Sequence, residues 1–104
     1  MDLVSAPILE FVPHNIAVFR VLFAEPKDKK QYAKPIDFEF CEIRYSFEPV
    51  PVDDCDLIHK VSYSNSIMHF AFDKRQKPIY GYARWVNRQG KTGHWSKQFS
   101  VMVP

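Results

Sequence analysis

The 104-residue sequence is poor in glycine and cysteine, and it contains no long apolar run. It has only three glycines, with no glycine-rich phosphate loop and no Gly-x-Ser-x-Gly motif around a nucleophilic serine. No stretch reaches the roughly 18 apolar residues of a membrane-spanning helix. The first eleven residues lack the basic and apolar segments of an export signal. We therefore expect a non-enzymatic protein in the cytoplasm, with no membrane association.

The two cysteines, Cys41 and Cys55, are expected to be free thiols. They could pair in principle, but cysteines in a chain without an export signal are more often reduced. Cys41 also alternates with the apolar positions of a predicted strand, and a thiol buried in this way is inert. Nucleophilic cysteine chemistry is therefore not expected.

Neither sign of charge dominates the sequence, which has 14 basic and 12 acidic residues and a formal net charge of +2. The basic residues are concentrated in two short clusters, at 27–30 and 73–77, rather than along one stripe. Nucleic-acid binding usually requires a stronger and more continuous basic surface. Nucleic acid is therefore not an expected partner.

The four histidines show no metal-binding pattern: His14, His59, His69 and His94 form no helical i, i+4 pair and no combination with Cys-x-x-Cys. The acidic segment 53–56 lacks the ligand spacing and the closing glutamate of a calcium loop. We expect neither a metal nor a cofactor. For His59 the expected role is a hydrogen bond that fixes a loop.

Aromatic residues, by contrast, make up 15% of the chain, and eight prolines interrupt any long helical pattern. Short segments rich in aromatic and β-branched residues predict strands. These lie near residues 6–12, 16–24, 37–47, 66–73, 79–87 and 94–103, and residues 48–56 are expected to lack regular structure. The pattern predicts one all-β sandwich domain over residues 1–104, with about six or seven strands. Residues 1–15 supply its N-terminal segment and first strand.

Alternation along the predicted strands assigns side chains to the core or to the surface. In the strand at 37–47, one face carries Cys41, Ile43, Tyr45 and Phe47, and the other carries Glu42, Arg44 and Ser46. In the strand at 66–73, Met68, Phe70 and Phe72 share a face. In the strand at 79–87, one face holds Ile79, Gly81, Ala83 and Trp85, and the other holds Tyr80, Tyr82, Arg84 and Val86.

The run "YARWVNRQGKTGHWS" resembles the last hairpin of a fibronectin type III domain. Residues 37–104 are also similar to the C-terminal domain of a group of uncharacterised bacterial proteins. The matching positions are Glu42, Ile43, Arg44, Leu57, His59, Arg84, Trp85, Asn87, Gly90, Gly93, Trp95 and Ser96. Gly81 stands where that pattern usually has an aromatic residue, and His94 stands where it usually has proline. The resemblance implies an immunoglobulin-like, fibronectin type III sandwich of about seven strands and no particular chemistry.

The two tryptophans of this hairpin are expected to have different roles. Trp85 belongs to the set that matches the inward positions of the type III pattern, so it is expected to lie in the core. The segment "HWSKQFS" is similar to the Trp-Ser motif of cytokine-receptor sandwiches, in which tryptophan stacks on arginine at the outer face of a sheet. That similarity implies a cation–π contact between Trp95 and Arg84.

The function expected from these observations is that of a structural or protein-interaction module whose partner is unknown. The alternative is a carbohydrate-binding sandwich that uses the outer face of the last hairpin. The candidate binding residues are Tyr80, Tyr82, Arg84 and Trp95. A homodimer through an uncovered sheet edge is a third interpretation, because sandwiches keep edges that must be paired or protected.

Overall fold

The computed structural model of the chain describes residues 6–24, 38–62 and 66–104. These ranges form seven β-strands and two single-turn 3-10 helices. The strands are β1 (Ile8–Asn15), β2 (Val18–Ala24), β3 (Phe38–Ser46), β4 (Leu57–Val61), β5 (Ser66–His69), β6 (Pro78–Asn87) and β7 (Phe99–Met102). The 3-10 helices span Val52–Asp54 and Phe72–Lys74.

The strands form two antiparallel sheets, and the predicted all-β class is confirmed. One sheet has three strands in the order β1-β2-β5, and the other has four in the order β4-β3-β6-β7. Aromatic contacts join β1 of the first sheet to β7 of the second, because the rings of Phe11 and Phe99 lie 5.0 Å apart. The two sheets therefore pack face to face as a β-sandwich.

The core lies between the sheets, at every second position of β2, β3 and β6. Its largest member is Trp85, which is fully buried and meets Phe23 edge to face, with the ring centroids 5.1 Å apart. The fully buried residues of β3 and β6 are Cys41, Ile43, Ile79, Ala83 and Trp85. The inward faces predicted for these two strands are thus confirmed.

Strand β4 was not predicted, because the prolines and acidic residues just before it favour an irregular segment. Once the chain leaves the 3-10 helix at Val52–Asp54, it returns alongside β3, with Cys41 opposite Val61 and Tyr45 opposite Leu57. The strand is only five residues long, and its alternation is too short to outweigh the signals before it.

Two further predictions are wrong in their boundaries. The strand expected to extend to residue 73 ends at His69, and Phe72 lies in a 3-10 helix with 64% of its surface exposed rather than on the Met68 face. The strand expected from His94 begins only at Phe99. The reason is local, since the hydroxyl of Ser96 accepts the Ala83 N–H at 3.0 Å, where a regular ladder would use a main-chain carbonyl.

Gly81 occupies a position of β6 where the neighbouring strands leave no room for a side chain. A methyl group there would lie 2.6 Å from the ring of Phe99 and 2.7 Å from the main-chain oxygen of Arg44. Phe99 is the direct partner of Gly81 in β7, so its ring covers the space above the glycine. This close approach explains why position 81 accommodates glycine and no larger residue.

We expect Gly81→Ala to destabilise the protein by about 1 to 3 kcal/mol, because the methyl group overpacks the site. In an open strand the same change would stabilise by about 0.5 to 1 kcal/mol. Urea denaturation of the wild type and Gly81→Ala measures the difference in their free energies of unfolding. Gly90→Ala is the control, since its added methyl meets no atom within 4 Å and only the positive φ of 83° opposes it. A Gly81→Ala variant as stable as the wild type would contradict the packing of Phe99 over Gly81.

Candidate functional site

The outer face of the four-stranded sheet carries a buried carboxylate between two arginines. Glu42 and Arg44 lie two residues apart on β3, and Arg84 lies directly opposite Glu42 on β6. Glu42 is only 7% exposed, and it accepts a hydrogen bond from Arg44 Nε at 2.8 Å and one from Arg84 Nε at 2.9 Å. Each carboxylate oxygen therefore has its own charged donor, an arrangement that offsets the cost of burying the charge.

These contacts also determine the ionisation of Glu42. Burial alone would raise the pKa of its carboxyl group, but the hydrogen bonds and positive charges of Arg44 and Arg84 outweigh burial and lower the pKa below its usual range. Glu42 is therefore ionised at neutral pH, and it holds both guanidinium groups in fixed positions.

Trp95 covers the two guanidinium groups from outside the sheet. The Arg84 guanidinium carbon lies 4.1 Å from the centre of the indole ring, and that of Arg44 lies 5.5 Å from it. The expected stacking of Trp95 on Arg84 is present, and Arg44 is a second cation at the ring that was not predicted. We call Glu42, Arg44, Arg84 and Trp95 the arginine–tryptophan cluster. The outward position of Arg44, two residues from Glu42, is the sequence signal that points to its membership.

The two tyrosines of the predicted surface lie on the same face but outside this cluster. The Tyr82 hydroxyl donates to the main-chain oxygen of Val50 at 2.8 Å and accepts a hydrogen bond from the Gln98 side chain at 3.0 Å. Tyr80 lies further along β6, opposite Ser46 on one side and Ser100 on the other. The four predicted residues thus share one surface, but only Arg84 and Trp95 stack on each other.

Both cysteines are free and buried. Burial strongly raises the pKa of the Cys41 thiol, and the adjacent Glu42 charge adds to the effect. Burial also raises the pKa of Cys55, as do the nearby Asp56 and Asp54. Both side chains therefore remain protonated thiols at neutral pH, and a protonated thiol is a poor nucleophile.

His59 lies in the middle of β4, opposite Ile43, rather than in a loop. Its Nε2 atom is buried and has no hydrogen-bond partner among the described residues. Burial lowers the pKa of the imidazole below its ordinary value of 6.5, because the charged form would lose its hydration. His59 is therefore held neutral in the folded protein.

This burial predicts that stability falls in mild acid. Below about pH 6.5 the unfolded chain protonates His59 while the folded protein resists, so the free energy of unfolding should fall as the pH drops towards 5. The slope from one such group is at most about 1.4 kcal/mol per pH unit. His59→Leu should flatten the curve over this range in urea melts. His14→Leu, at an exposed position on β1, should keep the wild-type slope. Identical slopes for the wild type and His59→Leu would show that His59 is not the responsible group.

A cleft opens at one end of the sandwich, where the end of β3, the start of β4 and the end of β5 come together. It has a volume of about 590 Å³. Its lining consists of Tyr45, Ser46, Phe47, Glu48, Asp56, Leu57, His69, Phe70, Ala71 and Lys74. This site was not predicted from the sequence, because its residues come from four separate segments of the chain.

Within the described ranges, no group of three or more histidine, cysteine, aspartate or glutamate side chains is placed to hold a metal ion. The same ranges contain no helix long and apolar enough to span a bilayer. No protein-family model matches the chain, and no curated protein matches it either.

Proposed function

We propose that the chain is a fibronectin type III sandwich with a non-enzymatic role as a structural or protein-interaction module. The strand order supports the family assignment. In an immunoglobulin constant-type domain the fourth strand joins the sheet of the first, second and fifth strands. Here β4 pairs instead with β3 in the four-stranded sheet, which distinguishes the chain from the constant-type arrangement.

The arginine–tryptophan cluster is the observation that supports an interaction role. Arginine, tryptophan and tyrosine are the residue types most enriched at the energetic centres of protein interfaces. Internal hydrogen bonds already hold Arg44, Arg84 and Tyr82 in place, so little side-chain entropy remains to be lost on binding. Ile58, opposite Arg44 on the edge strand β4, is 54% exposed and adds apolar area to the same face.

A comparative capture experiment tests this role. Isotope-labelled cell extract is passed over immobilised wild-type protein, Ile58→Glu and Ile16→Glu, with Ile16 as the matched control. Ile16 is 58% exposed and lies in the turn between β1 and β2, away from the proposed face. We expect a protein that binds the wild type and Ile16→Glu equally but is lost from Ile58→Glu. If no captured protein distinguishes the two variants, the interaction face has been assigned wrongly.

Carbohydrate binding by the same face ranks below this proposal. A sugar-binding platform needs an open aromatic face and free polar groups. The Tyr82 hydroxyl already has two partners, and two guanidinium groups lie against the Trp95 ring. Glycan-array binding that is abolished by Trp95→Ala in a folded variant would reverse the ranking.

A further inference from the structure

The cleft at the end of the sandwich is lined by three aromatic rings in edge-to-face contact. Tyr45 meets Phe47 with ring centroids 6.4 Å apart and Phe70 with centroids 6.0 Å apart, both at 74° between planes. All three side chains are partly exposed, so ring surface is accessible from the cleft. The volume of about 590 Å³ falls within the range of small-molecule sites.

Two acidic side chains belong to the same cleft lining as these rings. Glu48 and Asp56 both line the cleft, and neither has an ion-pair partner among the described residues. Burial raises the pKa of the Tyr45 hydroxyl, and the negative charge of nearby Asp56 raises it further. The cleft therefore combines aromatic surface with two carboxylates that no cation of the described chain neutralises by direct contact.

Lys74 already places a cation against one of these rings. Its ammonium nitrogen lies 4.7 Å from the centre of the Phe47 ring. An ammonium group at this distance interacts with the electron-rich face of the ring, and recognition of quaternary ammonium groups commonly relies on this attraction. The Lys74 ammonium contacts the Phe47 ring, while the Tyr45 and Phe70 rings also line the cleft. His69 is the other basic side chain in the lining.

We propose that this cleft binds a small organic ammonium compound. The cationic group lies against the Tyr45, Phe47 and Phe70 rings in place of the Lys74 ammonium, and Glu48 and Asp56 supply the opposite charge. A quaternary ammonium group suits the site particularly well, because it needs no hydrogen-bond acceptors and interacts with several ring faces at once. The site is separate from the arginine–tryptophan cluster and shares no residue with it.

The test compares choline with 3,3-dimethylbutanol, which has the same shape but no charge. Each compound is titrated into the ¹⁵N-labelled protein, and amide shifts are followed by NMR. We expect choline to bind with a dissociation constant on the order of 1 mM, about 4 kcal/mol, and to shift amides around the cleft. The neutral compound should bind at least about fivefold more weakly, the equivalent of one cation–π contact. Equal binding of the two compounds, or no binding of choline, would overturn the proposal.

Two variants examine the charges separately. Lys74→Gln removes the competing ammonium and should tighten choline binding about two- to fivefold. Asp56→Asn should weaken it, and Lys77→Gln, at an exposed position outside the cleft lining, should leave it unchanged. Unchanged binding by both Lys74→Gln and Asp56→Asn would overturn the assignment of the cation to this cleft. A lysine-containing peptide that binds much more tightly than choline would also overturn it, since the occupant would then be a protein side chain.

Discussion

Trp85→Ala is expected to cost about 3 to 5 kcal/mol of unfolding free energy, much of the total stability of a small domain. Trp85 is fully buried, and its ring packs against Phe23 and Phe38. Removing it leaves a cavity between the sheets that the surrounding strands can fill only partly. Trp95→Ala should cost only about 1 to 2 kcal/mol, because that ring is partly exposed and mainly loses its contacts with two guanidinium groups.

Trp85→Phe separates the contribution of aromatic packing at this position from that of the polar indole N–H. The indole N–H of Trp85 is buried without a hydrogen-bond partner in the described chain. An unsatisfied buried donor costs about 1 to 3 kcal/mol, so its removal should offset part of the lost packing. We expect Trp85→Phe to cost less than half as much as Trp85→Ala in urea melts. Equal costs for Trp85→Ala and Trp95→Ala would mean that the two faces of β6 have been exchanged.

The period-two alternation of β3 and β6 explains why their buried faces were predictable from sequence. Cys41, Ile43, Ala83 and Trp85 lie in long, regular strands, where each second side chain has the same environment. The prediction for Phe72 was wrong for the converse reason, because β5 ends at His69 and Phe72 is the first residue of a 3-10 helix. Alternation predicts a face only as far as the strand continues.

Contacts between strands were harder to predict, because they depend on register. The position of Arg44 next to Glu42 follows from alternation, but the pairing of Glu42 with Arg84 requires that β3 and β6 be aligned at one particular offset. The cleft was not predicted for the same reason, since Tyr45 lies in β3 of one sheet and Phe70 follows the end of β5 in the other. Short-range patterns contain no information about such distances.

Glu42→Ala is the second substitution expected to have a large effect, about 2 to 4 kcal/mol. Removing one member of a buried ionic network typically costs 3 to 5 kcal/mol, because the remaining charge loses its partner. The expected cost is lower here, since the side chains of Arg44 and Arg84 are 29% and 19% exposed and partly recover water. The two guanidinium groups would nevertheless repel each other beneath Trp95. Glu42→Gln, which keeps the size and one acceptor oxygen, should cost about 1 to 2 kcal/mol.

The pH dependence of that cost distinguishes the ionic contribution from packing. The pKa of Glu42 is lowered in the folded protein from its ordinary value of 4.5, so its ionic stabilisation is complete above that pH. Below it, the unfolded chain takes up the proton first and the stabilisation is lost. The difference between the wild type and Glu42→Gln in urea melts should therefore shrink as the pH falls from 6 towards 3. Glu48→Gln, at an exposed position beyond the end of β3, is the control and should show no such convergence. A constant difference for Glu42→Gln across this range would mean that the carboxylate contributes through its shape and not through its charge, and the arginine–tryptophan cluster would then be held together by packing alone.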